Sequence, residues 1–118
     1  MGGLDLNCSV SVDAGVTILK LAGRLDHQSV VEFREFALQQ LRGGSTKLVV
    51  DMAALEAVDG QGLATFVNFY RQVKIERKGR LALAGLNPDI RALLDRTSLS
   101  RVIPIAYDWQ EAAKELRS

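Results

Sequence analysis

A strand pattern followed by a helix pattern near the middle of the chain constrains the fold most strongly. The run Lys47–Met52 has the unbroken apolar centre Leu48-Val49-Val50, which is typical of a strand covered on both faces. The turn Asp59-Gly60-Gln61-Gly62 then opens a helix that we predict from about residue 60 to residue 78. Its apolar stripe consists of Leu63, Phe66, Val67, Tyr70 and Val73. A strand buried on both faces lies inside a sheet with helices on each side, which indicates an α/β fold.

The N-terminal segment predicts a β-hairpin. Apolar residues alternate with polar ones through residues 4–12, which is the signature of a strand with one buried face: Leu4, Leu6, Cys8, Val10 and Val12. Asp13-Ala14-Gly15 is a tight-turn signal, and the segment Val16–Leu21 after it is apolar on nearly both faces. The hairpin therefore leads from the edge of a sheet to its interior.

The remaining segments continue an alternation of helices and strands. Ser29 and Glu32 have capping-box spacing ahead of a helix that ends at Gly43-Gly44. Leu81–Ala84 predicts a short buried strand, and Asn87-Pro88 predicts the start of a third helix. Residues 102–106 form an edge strand in this interpretation, because Pro104 lacks a ladder donor, and Asp108 with Glu111 begins a final helix.

The predicted architecture is a single α/β domain over residues 1–118. Its element order is β-β-α-β-α-β-α-β-α, with a mixed sheet of about five strands, an N-terminal hairpin and four helices. Residues 1–3 are expected to be disordered or to be appended to the natural sequence. An edge strand can pair with a second copy, so a homodimer through residues 4–12 is left open.

Composition excludes several classes of partner. With 15 basic and 14 acidic residues the net charge is +1, and the basic residues are not interleaved with aromatics, so we expect no nucleic-acid partner. No apolar run approaches the roughly 20 residues that cross a bilayer, so we expect no membrane insertion and a cytoplasmic location. Cys8 and His27 are the only residues of their types, which predicts no metal site and no cofactor.

Candidate catalytic groups are few. Asp26, Asp51 and Asp59 fall near the ends of predicted strands, where α/β proteins place function, but Asp51 and Asp59 are also suited to capping backbone N–H groups. Gly60-x-Gly62 resembles part of a dinucleotide fingerprint, yet Thr65 stands where the third small residue belongs, and seven residues separate the predicted strand end from Gly60. No nucleophile with a paired base is present, so we predict that the chain is not an enzyme.

Two segments resemble the STAS domain of bacterial anti-sigma factor antagonists. Leu21-Ala-Gly-Arg-Leu-Asp26 is similar to the family's Gly-x-Leu-Asp at the end of the second strand. Val49-Val-Asp-Met52 with Val58-Asp-Gly-Gln-Gly-Leu63 looks like the family's segment of a strand aspartate followed by Asp-Ser/Thr-Ser-Gly-Leu. The element order matches the family over nearly the whole chain.

The resemblance implies a regulatory protein-binding function. In such proteins an anti-sigma factor that is also a serine kinase binds around the start of the second helix and phosphorylates the hydroxyl residue after the motif's aspartate. Unphosphorylated antagonist captures that kinase and frees the sigma factor. Carried over to this sequence, the partner-binding residues are Asp26, His27, Asp59, Gly60, Gln61, Gly62 and Leu63.

The chain departs from the family pattern at the phosphoacceptor. Gly60 occupies the hydroxyl position and Gln61 replaces the following serine, so we predict that this position is not phosphorylated. Two other functions remain open: a subunit of a multi-protein assembly, such as a stressosome-like scaffold or a lipid-transport ATP-binding complex, and a sensor of nucleotides or small molecules.

Overall fold

The computed structural model describes residues 6–117, so the expectations for residues 1–5 fall outside the described part of the chain. The strands are β1 (Leu6–Asp13), β2 (Val16–Leu25), β3 (Lys47–Val58), β4 (Arg80–Ala84) and β5 (Ile105–Ala106). The helices are α1 (Val30–Arg42), α2 (Gly60–Arg71), α3 (Pro88–Arg96) and α4 (Trp109–Arg117). A π-helical segment, Gln72–Glu76, continues α2, and a 3-10 turn, Leu99–Arg101, follows α3. The predicted element order is confirmed.

The strands form one mixed sheet in the order β1-β2-β3-β4-β5. β1 is antiparallel to β2, whereas the other three pairs are parallel. Helices α1, α2 and α3 pack on one face in the larger apolar core, and α4 packs on the other face in the smaller core. Phe33 of α1 joins α2 by edge-to-face contacts with Phe66 and Phe69, at centroid distances of 5.4 and 5.9 Å. These contacts fix α2 over the sheet.

The apolar face of β1 is only partly covered, which corrects the expectation of a strand buried along one side. Leu6 is buried and Cys8 is half-buried, but Val10 and Val12 are 46% and 69% exposed. The alternation correctly predicts a strand, but only the N-terminal half of that strand packs against the core. Burial, with a smaller contribution from Glu32, raises the pKa of the Cys8 thiol to about 11.

Strand β3 continues six residues past the predicted end at Met52. The sequence does not indicate this continuation, because the second half of the strand lacks the apolar pattern of the first half. Its exposed residues are Ala53, Ala54, Glu56 and Ala57. Two register shifts in the pairing with β2, between Lys20 and Ala22 and between Gly23 and Arg24, accommodate extra residues of β3. Only Asp59 therefore separates β3 from α2, so the seven-residue gap used above against a nucleotide site was wrong. The mismatch at Thr65 is unaffected.

The caps of the last two helices follow the sequence prediction. The Asn87 side chain accepts a hydrogen bond from the Ile90 N–H at 2.8 Å, with Pro88 in the first turn. Asp108 accepts from the Glu111 N–H at 2.8 Å, and the Glu111 carboxylate accepts from the Tyr107 N–H at 3.0 Å. β5 is shorter than the predicted strand over residues 102–106, although it does form the sheet edge.

Candidate functional site

The ends of β2 and β3 lie side by side and bring most of the predicted site residues together. Leu25 pairs with Val58 in the parallel ladder, and the Asp59 N–H donates to the Leu25 carbonyl at 3.1 Å. The loop after β2 therefore runs beside the start of α2. We call the resulting surface the β2/β3 platform, defined by Asp26, His27, Asp59, Gly60 and Gln61.

Asp59 organises this platform. Its side chain caps α2 by accepting from the Gly62 N–H at 2.9 Å, and the second carboxylate oxygen accepts from the His27 N–H at 2.9 Å. The His27 ring nitrogen Nδ1 lies 3.5 Å from the same oxygen. One carboxylate thus joins the loop after β2 to the first turn of α2. The structure thus confirms the N-cap role that the sequence offered for Asp59.

The same contacts keep Asp59 ionised. Hydrogen bonds from the Gly62 N–H, and then from the His27 N–H and ring, hold the Asp59 pKa below its ordinary value of 3.8, against the opposing effect of desolvation. Each bond favours the carboxylate over the neutral acid because the charged form is the better acceptor. The platform therefore carries a fixed negative charge at its centre at neutral pH.

The lowered pKa of Asp59 predicts a contribution to stability that depends on pH. A carboxylate whose pKa is depressed by folding stabilises the native state above its unfolded pKa, and this contribution is lost as the pH falls through the folded pKa. We expect Asp59→Asn to lower the free energy of unfolding above about pH 5, because asparagine can keep the cap but loses the charge and the second oxygen that accepts the His27 N–H. The part of the loss due to charge should shrink progressively below about pH 4.

Denaturant unfolding across that pH range measures the effect. Glu56→Gln is the matched control, because it removes an exposed carboxylate near the end of β3 without touching the cap of α2. A difference between wild type and Asp59→Asn that stays constant down to about pH 2 would contradict the assignment.

Asp26 and Ser29 shape the loop after β2. Asp26 accepts from the Gln28 N–H at 2.9 Å, and the Ser29 hydroxyl donates to the Arg24 carbonyl at 2.8 Å while accepting from the Asp26 N–H at 3.0 Å. Ser29 is buried and makes no side-chain cap to α1. The capping box predicted from Ser29 and Glu32 is therefore replaced by a turn that faces β2.

The two glycines of the motif differ sharply in their surroundings. A Cβ built on Gly60 meets nothing within 4 Å, so this position is open to solvent and has room for a side chain. A Cβ on Gly62 would lie 2.5 Å from the Leu25 carbonyl oxygen and 3.0 Å from carbon atoms of Leu25 and Val58. Gly62 is thus needed for the close approach of α2 to the end of β2.

Five of the seven predicted partner-binding residues lie at the surface, and two lie beneath it. Asp26 and Asp59 are partly exposed, and His27, Gly60 and Gln61 are exposed. Gly62 and Leu63 are buried, and Leu63 belongs to the larger core. Gly62 and Leu63 therefore support the exposed platform residues from the buried side of α2.

Asn87 also supports the site, in addition to the capping role that the sequence predicts for it. Its amide nitrogen donates to the carbonyls of Leu55 and Glu56 at 3.2 and 3.1 Å, which ties the start of α3 to the end of β3. Asparagine, unlike aspartate or serine at an N-cap, offers both an acceptor and an amide donor. The choice of asparagine at position 87 was therefore the sequence signal for these two additional hydrogen bonds.

Other candidate groups have structural explanations. Asp51 is buried and accepts from the Ala53 N–H at 3.1 Å, as expected of a carboxylate that caps backbone groups. The Thr65 hydroxyl donates to the Gln61 carbonyl at 2.9 Å within α2. Within residues 6–117, no cluster of three or more His, Cys, Asp or Glu side chains could hold a metal ion. The same stretch contains no helix long and apolar enough to cross a membrane.

A five-stranded mixed sheet with an Asp-capped helix at the paired ends of β2 and β3 defines a STAS-type domain. The family model of the STAS domain matches residues 7–112, so the chain belongs to this family. The predicted resemblance is confirmed.

The chain is similar to proteins described as anti-sigma factor antagonists. It is 28% identical over 116 residues to the anti-sigma F factor antagonist of Paenibacillus polymyxa, with 96% of this chain and 97% of that protein covered. An anti-sigma factor antagonist from Mycobacterium paratuberculosis superposes with a TM-score of 0.89 at 18% identity over 100% of both chains. A Thermotoga maritima protein assigned to the same class gives 0.85 at 23% identity, covering 94% of this chain and 95% of that one. At these identities, the two solved structures show that the fold is shared.

Proposed function

We propose that this chain is an anti-sigma factor antagonist that binds an anti-sigma factor of the serine-kinase type through the β2/β3 platform. The observation that carries the proposal is the ordered, exposed surface in which Asp59 joins the loop after β2 to the start of α2. A surface held by internal hydrogen bonds loses little conformational entropy when a partner binds. Membership of the STAS family and the likeness to the Paenibacillus antagonist support the same function.

The charge of the platform supports a partner with basic groups at the contact. Asp26 and Asp59 both present carboxylates at the paired strand ends, and Asp59 is held in its charged form. Arginine and lysine side chains on a partner would meet complementary potential there, which favours association rate and specificity. A phosphate added between these carboxylates would bring about two more negative charges and a bulky group, which changes the contacts that a partner can make there.

We propose further that this antagonist has no phosphorylation switch at the platform, because Gly60 has no oxygen to accept phosphate. Neighbouring hydroxyls are poor substitutes. Ser29 is buried and engaged with the Arg24 carbonyl, and Thr65 is engaged with the Gln61 carbonyl inside α2. The protein therefore stays in its partner-binding state, so its control depends on how much of it is present.

Binding of the purified cognate kinase to charged and neutral variants of Gly60 tests the function. We expect Gly60→Glu to weaken binding roughly 10-fold or more, about 1.4 kcal/mol, because its long side chain would project from the open turn at Gly60 and keep the partner from close contact. Gly60→Ala is the matched control, since its methyl group enters open space, and it should bind nearly as wild type does.

Isothermal titration calorimetry gives both affinities directly. The proposal fails if Gly60→Glu binds the kinase as tightly as Gly60→Ala does, or if wild type shows no affinity for that kinase.

A further inference from the structure

The outer edge of β1 is the most exposed pairing surface of the sheet. β1 pairs with β2 through a two-residue turn in which Ala14 and Gly15 have φ of 50° and 85°, as in a type I′ hairpin. In such a hairpin Asp13 and Val16, the residues flanking the turn, exchange backbone hydrogen bonds, and every second residue before Asp13 does the same. The backbone N–H and C=O groups of the intervening residues therefore point away from β2: Leu6, Cys8, Val10 and Val12.

Within residues 6–12, this edge lacks the sequence features that usually prevent strands from associating. Residues 6–12 contain no lysine, no proline and no charged side chain, and the register with β2 runs without a bulge. Val10 and Val12 are exposed along the same strand. The opposite edge, β5, is only two residues long and follows Pro104, so it has few backbone N–H and C=O groups available for strand pairing.

We propose that β1 pairs antiparallel with β1 of a second copy of this chain, so that two sheets join into one across a two-fold axis. The register that uses all the outward backbone groups places Ser9 on the axis, opposite Ser9 of the second copy. Val10 then lies opposite Cys8, and Val12 lies opposite Leu6. Four residue pairs exchanging two bonds each give about eight new backbone hydrogen bonds.

The pairing is self-complementary in side chains as well as in backbone. On one face, Val10 packs against Cys8 of the second copy and Val12 packs against its Leu6. On the other face, Asn7 lies opposite Ser11. Within residues 6–12 no charged side chains oppose each other, so this stretch carries no like-charge repulsion. A second copy therefore fits this edge better than a strand of strongly charged sequence.

This inference does not rest on the proposed function. The outer edge of β1 lies on the side of β1 opposite β2, whereas the platform lies at the ends of β2 and β3. A dimer would leave both platforms open, so loss of dimerisation and loss of kinase binding are separate outcomes.

Sedimentation of the full chain and its variants over a dilution series is the first test. We expect wild type to reach twice the mass of one chain at high concentration, and Val12→Lys to remain a single chain throughout. Val102→Lys is the control. It makes the same substitution at a valine that is 55% exposed, compared with 69% for Val12, and it should sediment like wild type. A wild type that is monomeric at every concentration, or a Val12→Lys variant that still dimerises, overturns the proposal.

Disulfide trapping tests the register. Directly opposed residues between hydrogen-bonded pairs have Cα atoms about 4.5 Å apart, within the range a disulfide spans. In a Cys8→Ser background, Ser9→Cys should therefore form a covalent dimer on mild oxidation. Ser11→Cys should not, because two copies of residue 11 would lie about 13 Å apart along the strands. Trapping through residue 11 instead of residue 9 overturns the proposed pairing.

Discussion

Replacing Gly62 by alanine should destabilise the protein by about 2 kcal/mol or more, although the change adds a single methyl group. The new Cβ would lie 2.5 Å from the Leu25 carbonyl oxygen, closer than real contacts allow, and the backbone of α2 or β2 would have to move. That carbonyl also accepts the Asp59 N–H, so any movement weakens the hydrogen bond that holds the strand ends together. Chemical denaturation followed by circular dichroism measures the loss.

Gly60→Ala is the internal comparison for this prediction. It adds the same methyl group two residues earlier, where nothing lies within 4 Å. Alanine is favoured over glycine in helices by about 0.5–1 kcal/mol, so this variant should match or slightly exceed wild type in stability. Equal stabilities of the two alanine variants would show that α2 can move away from β2 at little cost, contrary to the packing described here.

Gly60→Ser should turn a chain that cannot be phosphorylated at this position into one that can. The open space at Gly60 accepts a serine side chain without displacing any neighbour, and the hydroxyl would project from the first residue of α2. A phosphate at a helix N-terminus also interacts favourably with the helix dipole. We expect stoichiometric phosphate on this variant, and none at residue 60 of wild type, when each is incubated with the cognate kinase and ATP.

Peptide mass spectrometry locates the modification, and Gly60→Ala serves as the unmodifiable control of similar size. Phosphorylated Gly60→Ser should then lose affinity for the kinase, whereas the unmodified variant should keep it. If wild type acquires phosphate on a residue of the platform region, the single binding state proposed above is wrong. If Gly60→Ser stays unmodified although it binds the kinase, the kinase does not read this position as its substrate.

The fold was predictable because its main signals are local and agree with one another. The apolar centre of β3, the stripe of α2 and the Asn87-Pro88 start of α3 each predict one element, and their order leaves few topologies. The end of β3 was not predictable, because it depends on register shifts against β2 and on exposed alanines that carry no period. Burial of β1 was overestimated for a similar reason, since a regular alternation shows which face is apolar but not how far a helix covers it.

The candidate site was predictable in its location but not in its internal contacts. The sequence indicated that Asp26 and Asp59 follow the ends of neighbouring strands, and the structure brings these segments together. That Asp59 also accepts the His27 N–H depends on the spacing of two strands, which no local pattern encodes. Gly60 and Gly62 look alike in the sequence, yet only packing against Leu25 distinguishes a free position from an obligatory one.

The division of the platform into fixed and free positions bears on how STAS domains with this turn diverge after gene duplication. Asp59 and Gly62 make contacts within the fold, so a copy that alters them loses stability. Gly60 has open space around its Cβ position and Gln61 beside it is exposed, so substitutions there should cost little stability. Paralogues can therefore acquire separate partners, and keep signalling routes insulated from one another, by changing two adjacent residues on an unaltered scaffold.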